Sequence, residues 1–382
     1  MTDSSEISEI NDCAADRIQF MEKIRLQKPD GRELILYSRR QISRDLRATS
    51  PGAEPILANP HLRWHPLRGE WVAYASHRND RTFLPPPEYN PLAPSSSAEF
   101  PTELPVGDYD IAVFTNRFPS MTGDATASPE LSTPSRPANG VCEVVVFTQD
   151  SGTSLAALPL SHFELLIDVW AERYSELGGQ KQIQYVMPFE NRGEEMGVTL
   201  NHPHGQIYAY PFVPPIPARE LELQREYLQK NGRGLLEDML AGELAGGKRL
   251  IVVTDTAAAF VPVCARYPYE VWVMPKRPAP SLAGLSGTER RDFARTLKTV
   301  LMKYDALWQR PFPYLMVFHQ APTDGRDYPE AHAHVEIYPA FRKPGRLKYL
   351  AGTELGAGMF ANDCVPEDKA SELQAVKVEI NE

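Results

Sequence analysis

Two stretches carry apolar residues at the three-and-four spacing of a buried helix face: "HFELLIDVWAERYSEL", directly after Ser161, and "TERRDFARTLKTVLMKYDALW", shortly after Ser286. Each serine is followed three residues later by a glutamate, Glu164 and Glu289, which predicts a capping-box start for both helices. Short runs rich in β-branched and aromatic residues flank them and predict strands. "EVVVF" (Glu143 to Phe147) and "EVWVM" (Glu270 to Met274) come before the helices, and "KQIQYVMPF" and "FPYLMVFHQ" come after. Beyond a polar loop follow "HPHGQIYAYPF" and "HAHVEIYPAF". The order strand, helix, strand, strand therefore occurs twice, with "RFP" and "RYP" and then "SLAALPLS" and "SLAGLS" at matching points.

This recurrence implies an internal duplication. The predicted class is α+β, two duplicated halves that each pack an antiparallel sheet with helices, in preference to a doubly wound parallel sheet. The proline cluster "PFVPPIPAR" places the boundary near residue 215, giving halves over 21–215 and 216–382. The polar residues 1–20 are expected to be a mobile tail, and "LPPPEYNPLAPSSSAEFPTELP" and "TGDATASPELSTPSRPANG" to be surface loops.

At 382 residues and 42% hydrophobic, the chain can bury a substantial core. No apolar run reaches the length of a membrane span, and the start lacks the pattern of a signal peptide, so a cytoplasmic location is expected. The four cysteines, Cys13, Cys142, Cys264 and Cys364, are dispersed, which argues against a disulfide framework or a thiolate-rich zinc site. A net charge of −10 argues against a general nucleic-acid partner but leaves room for an anionic small substrate held by local basic side chains.

Histidines change the picture. The chain has nine, and four form two pairs at matching points of the duplication: His202 with His204, and His332 with His334. Residues two apart on a strand share a face, so His202, His204 and Gln206 are expected to project together, as are His332, His334 and Glu336. Such pairs suit either metal ligation or nucleophilic attack on phosphorus. Gly205 and Gln206 favour the second for the first pair. A small residue would let a phosphoryl group approach the backbone, and a neutral amide could steady charge on a phosphate oxygen.

"NHPHGQ" preceded by "ENRGEEMG" resembles the galactose-1-phosphate uridylyltransferase branch of the histidine-triad superfamily. The similarity runs from "LRWHPLRGEWVAYASHR" through "VFTNRFP" to "KYLAGTELGAGMF". The resemblance implies two histidine-triad-like halves and a ping-pong reaction. UDP-glucose would give its uridylyl group to His204, and galactose 1-phosphate would then collect it. It implies that a backbone carbonyl fixes the tautomer of His204, and that Gln206 hydrogen-bonds the uridylyl phosphate. Asn191 and Thr199 match residues near the phosphates, and Asn116 and Arg63 match nucleotide contacts. Lys348 and Glu354 match hexose-phosphate contacts drawn from the partner subunit of a homodimer with shared active sites. Taken alone, each of these polar residues reads as a loop or cap residue.

The resemblance also implies metal. Glu220, His319, His332 and His334 match a closed structural site for zinc or iron, against the competing reading of a hydrogen-bonded histidine cluster. A second family zinc site is expected to be absent. It would need two cysteines where this chain reads "YNPLAPSSS" and a histidine where Ser151 stands, which leaves His202 to orient its neighbours by hydrogen bonding. Two rival readings stand beside the uridylyl transfer: an ADP-sugar or dinucleotide phosphorylase or adenylyltransferase using the same histidine, and an inactive metal-binding homologue.

Overall fold

A computed structural model of the chain describes residues 21–55, 57–80, 89–97 and 99–382. The expected tail over 1–20 and part of the proline-rich stretch 84–105 lie outside the described residues. In chain order the first half contributes β1 (Glu22–Gln27), β2 (Glu33–Ser38), β3 (His61–His65), β4 (Glu70–Tyr74), β5 (Ile111–Thr115) and β6 (Ser135–Pro137). It continues with β7 (Val141–Val146), α1 (Leu160–Gly178), β8 (Tyr185–Arg192) and β9 (His204–Tyr210). The second half begins with α2 (Pro215–Asn231), α3 (Leu235–Gly246), β10 (Leu250–Val253), β11 (Ala257–Phe260) and β12 (Val271–Pro275). Then come α4 (Gly287–Leu307), β13 (Tyr314–His319), β14 (His334–Pro339), β15 (Phe341–Lys343), β16 (Arg346–Leu347) and α5 (Pro366–Ala375).

The two expected half-sheets are fused. Among the described residues, eleven strands form one sheet in the order β1-β2-β5-β7-β9-β8-β13-β14-β12-β11-β10, and the pairings that place the halves side by side are antiparallel. The seam is the pairing of β8 with β13. Phe189 lies opposite Gln206 in the first half and Val317 opposite Glu336 in the second, so Phe189 and Val317 are counterparts. These two residues also pair with each other across the seam, which puts a pseudo-two-fold axis through them. The same ladders make Asn191 the counterpart of His319, Gln206 of Glu336, and His204 of His334.

Helices α1 and α4 share one face of this sheet. Phe163, Leu166, Ile167, Trp170, Tyr174 and Leu177 form the buried stripe of α1, and Phe293, Ala294, Leu297, Val300, Leu301 and Tyr304 that of α4. Alternate strand residues, among them Val145, Val186, Ile207, Val273, Phe318 and Val335, meet both stripes in one core. Burying each large apolar side chain contributes about 1.5–3 kcal/mol, which is what holds short strands in so wide a sheet. On the opposite face a three-stranded sheet, β4-β3-β6, covers the first half, and α3 packs on Phe260, Trp272 and Met274 of the second. Among the described residues no helix is long and apolar enough to cross a membrane.

Two local expectations need correction. Ser286 caps α4 as predicted: its Oγ accepts from Glu289 N at 3.2 Å, and the Glu289 carboxylate accepts from Ser286 N at 2.8 Å. Ser161, however, lies inside α1. That helix starts a residue earlier behind Pro159, whose carbonyl takes the amides of His162 and Phe163, so no side-chain cap forms. Aligning "EVVVF" with "EVWVM" also hides an offset. Glu143 sits opposite Ile207, whereas Val271, not Glu270, sits opposite the equivalent Ile337. A one-residue offset reverses the face. Glu143 turns towards the helices and pairs with buried Arg173 at 2.6 Å, while Glu270 accepts the backbone amides of Arg266 and Tyr267.

Candidate active site

The centre is His204, the first residue of β9, on the sheet face away from α1 and α4. Along β9 burial alternates: Gly205, Ile207 and Ala209 are buried on the helix side, and His204, Gln206, Tyr208 and Tyr210 line the other. His204 Nδ1 donates to the His202 carbonyl at 2.7 Å, which places the remaining lone pair on Nε2. Burial lowers the pKa of this imidazole below its ordinary value, and the hydrogen bond to the His202 carbonyl offsets only part of that, so the ring is neutral near pH 7.

Two cavities meet at this ring. One, of about 340 Å³, is lined by His204, Gln206, Asn116, Arg117, Thr199, Glu103 and apolar side chains that include Leu92, Phe114 and Phe118. The other, of about 290 Å³, is lined by His204, Asn191, Arg192 and Glu190 and by the loop from Val198 to Pro203. Gly193 and Gly197, both at positive φ, turn the chain after β8, and Thr199 beyond them lines the same cavity as His204.

Gln206 is oriented by a chain of bonds. Phe118 N donates to Asn116 Oδ1 at 2.8 Å, and Asn116 Nδ2 donates to Gln206 Oε1 at 3.3 Å. The amide assignment follows from the backbone donor, and it leaves the Gln206 NH₂ as a donor on the His204 side of the strand. Gly205 is needed for a different reason than the one its sequence position suggested. A Cβ there would lie 2.8 Å from the Phe189 carbonyl oxygen and 2.8 Å from Phe147 Cζ, on the helix side. Backbone packing behind the sheet demands the glycine, and not the approach of a phosphoryl group in front.

His202 precedes the strand instead of sharing its face, and it is buried. Its Nε2 donates to the Thr148 carbonyl at 2.7 Å, and its Nδ1 accepts from Asn90 Nδ2 at 3.0 Å. Both ring nitrogens are thus engaged, Ser151 is an exposed turn residue, and the loop carrying Asn90 has no cysteine. These residues do not fit a metal ion.

The other predicted residues separate. Arg63 stacks on Tyr74, 4.0 Å from the ring centroid, and its Nε donates to His61 Nε2 at 2.9 Å; it lines neither cavity. Lys348 Nζ and Glu354 Oε1 pair at 3.1 Å beyond β16, also away from both cavities of the same chain. Sequence reasoning passed over Arg117, which lines the larger cavity, although it stands beside Asn116 in a motif that had been singled out. Asn90 was also passed over, because nothing near it in sequence marks its contact with His202.

In the second half the histidine wiring repeats. His334 Nδ1 donates to the His332 carbonyl at 2.9 Å, and His332 Nε2 donates to the Pro275 carbonyl at 2.8 Å. What faces the ring differs. Ligand atoms of Glu220, His319 and His334 lie within 4.8 Å of one another, and His332 lines the same small cavity without joining that group. His319 Nε2 and His332 Nδ1 are buried without partners among the described residues. Unsatisfied imidazole nitrogens beside a carboxylate are a donor set that fits a zinc- or iron-like cation. Where the first half has neutral Gln206, the second has Glu336, with Oε1 3.5 Å from His334 Nε2. Burial works against its charge, but His334 and His319 outweigh it and hold the carboxyl at about 2. An anion at that position repels phosphate and attracts a cation, whereas an amide does neither.

Comparison with known proteins agrees with this geometry. Residues 52–214 match the family model described as galactose-1-phosphate uridyl transferase, N-terminal domain, and residues 220–381 match its C-terminal domain. The galactose-1-phosphate uridylyltransferase of Thermotoga maritima is 38% identical over 326 residues, 84% of this chain and 99% of that protein. A solved uridylyltransferase structure superposes with a TM-score of 0.75 at 33% identity, covering 82% of this chain and 97% of that one. An ADP-glucose phosphorylase from Arabidopsis thaliana shares the fold, with a TM-score of 0.62 at 22% identity over 84% of this chain and all of that one. With both family domains matched in order and the histidine pairs at equivalent places in each, the chain belongs to the galactose-1-phosphate uridylyltransferase family.

Proposed function

We propose that the chain moves UMP from UDP-glucose to galactose 1-phosphate through a covalent uridylyl-histidine on His204. The observation that carries this reading is the His204 imidazole, neutral, proton on Nδ1 towards a backbone carbonyl, at the junction of two cavities. In the first step Nε2 attacks the α-phosphorus. The P–N bond forms, the P–O bond to the β-phosphate breaks, and glucose 1-phosphate leaves. In the second, a phosphate oxygen of galactose 1-phosphate attacks the same phosphorus, the P–N bond breaks, and His204 returns neutral. The Gln206 NH₂ donates to a non-bridging oxygen, where charge grows during both steps. Asn116 orients Gln206 and, with Arg117 and Thr199, borders the nucleotide cavity, while Asn191 borders the second.

Lys348 and Glu354 are assigned to the active site of a partner subunit in a cytoplasmic homodimer, since they line neither cavity of their own chain, and Arg63 is assigned to a nucleotide contact. Glu220, His319, His332 and His334 would hold one zinc or iron ion, whose bonds would tie α2 to β13 and β14.

The test is intact-mass measurement after brief mixing with UDP-glucose, beside His204→Ala. A uridylyl-sized gain on the parent and none on the variant is expected. A gain with ADP-glucose in place of UDP-glucose would move the chain to the adenylyl chemistry of the rival reading, and no gain with either donor would overturn covalent transfer.

A further inference from the structure

The two halves wire their histidine pairs alike except at one atom. In each, the second histidine donates Nδ1–H to the carbonyl of the first, and the first donates Nε2–H to a backbone carbonyl, that of Thr148 or of Pro275. The difference is Nδ1 of the first histidine. On His332 it is buried and unpartnered among the described residues, next to the candidate metal ligands. On His202 it accepts from the Asn90 amide, 112 residues away in sequence. The orientation of that amide is fixed, because Asn90 Oδ1 takes Leu92 N–H at 3.0 Å and leaves NH₂ for the imidazole. His202 is therefore held as one neutral tautomer, Nε2–H, from two sides.

The loop carrying Asn90 is held at several points. Glu103 N donates to the Pro91 carbonyl at 2.9 Å, and Thr102 Oγ1 donates to the Ala93 carbonyl at 2.5 Å. Glu103 is in turn fixed by buried Lys28, at 2.7 Å, and by Arg32, at 2.8 Å. Tyr89, Pro91, Leu92 and Glu103 of this segment are walls of the larger cavity. One amide thus joins the cavity wall to the residue whose carbonyl aims His204.

We infer that Asn90 is a positioning residue for the His204 nucleophile, a side-chain amide that does in this chain what a metal ion would do at such a position. It clamps His202, and through the His202 carbonyl it fixes the tautomer and aim of His204. The inference rests on the reading of His204 as the nucleophile. Outer-shell partners that orient a metal-bound imidazole are typically worth roughly 10- to 100-fold in activity, and a comparable loss is expected for one that orients a reacting imidazole.

The test compares the parent with Asn90→Ala and Asn90→Asp. Aspartate has the same size but can only accept, so it demands Nδ1–H while Thr148 still demands Nε2–H. The rate of the His204 adduct is expected to fall roughly 10- to 100-fold in both variants, with added zinc restoring neither. Nitrogen-15 spectra of histidine-labelled protein should show His202 in the parent as the neutral Nε2–H tautomer with a hydrogen-bonded Nδ1, altered in both variants. A thermal midpoint within a few degrees of the parent confirms that the variants fold. Asn90→Asp reacting at the parent's rate with an unchanged His202 spectrum would overturn the clamp, as would recovery on adding zinc. Should the parent form no adduct, the nucleophile reading fails, and the spectra alone still decide whether Asn90 sets the His202 tautomer.

Discussion

Glu190 shows how much a single side chain near the site depends on its surroundings. It alternates with Asn191 on β8, so its carboxyl faces the helix side, where Tyr314 Oη donates to it at 2.9 Å and Arg192 is engaged with Asp305. Burial pushes this carboxyl up to about 7, with Arg192 and the tyrosine hydrogen bond offsetting only part of the effect. A carboxyl whose folded pKa lies above its unfolded value binds its proton more tightly in the native state. Native stability from this group is therefore present at low pH and is lost as pH rises from about 4.5 towards 7. Glu190→Gln, which can still accept from Tyr314, is expected to raise the thermal midpoint at pH 8 and to leave it nearly unchanged at pH 4.5. Melting curves at the two pH values check this; an equal shift at both would remove the burial argument. Gln206 and Glu336 make the same point in reverse, since one atom's difference at matching positions separates a phosphate-tolerant face from a cation-attracting one.

At the scale of elements, the strands were the legible part. β8, β9, β13 and β14 follow from β-branched and aromatic runs, and the histidine pairs mark where two of them begin. Facing was less legible, because a strand reads the same in either register until its partner is known. Hence Glu143 and Glu270 align in sequence and point to opposite faces, and the reason for Gly205 lay behind the sheet. Contacts between distant segments left no local trace at all: Asn90 with His202, and Arg117 beside Gly52 on the wall of the larger cavity. For the second half the element-scale prediction concerns metal. Glu220 is on α2, His319 ends β13, and His334 starts β14, so a bound ion would cross-link three elements. Removing it with a chelator is expected to lower the thermal midpoint by several degrees and zinc to restore it, while the His204 adduct still forms at 25 °C. Loss of the adduct without loss of fold would mean that the ion acts in the chemistry.

Across the whole molecule, the duplication has been used asymmetrically. One half keeps the uncharged strand face and two cavities, and the other has a closed cluster of histidines and carboxylates at the same place. The pairing of Phe189 with Val317 that relates them also ends any independence between them. A half produced alone would leave β8 or β13 as an open edge in a wide sheet, and unpaired edges of that kind recruit other chains. Separately expressed fragments 1–214 and 215–382 are accordingly expected to aggregate when alone and, when co-expressed, to copurify as a soluble pair that accepts the uridylyl group. Recovery of either fragment as a well-behaved monomer would contradict this. The proline-rich connection at residue 215 is then a tether and not a hinge. A protease nick there should pass unnoticed in any assay of activity, because the backbone hydrogen bonds of the seam, rather than the covalent link, keep the two halves in one piece.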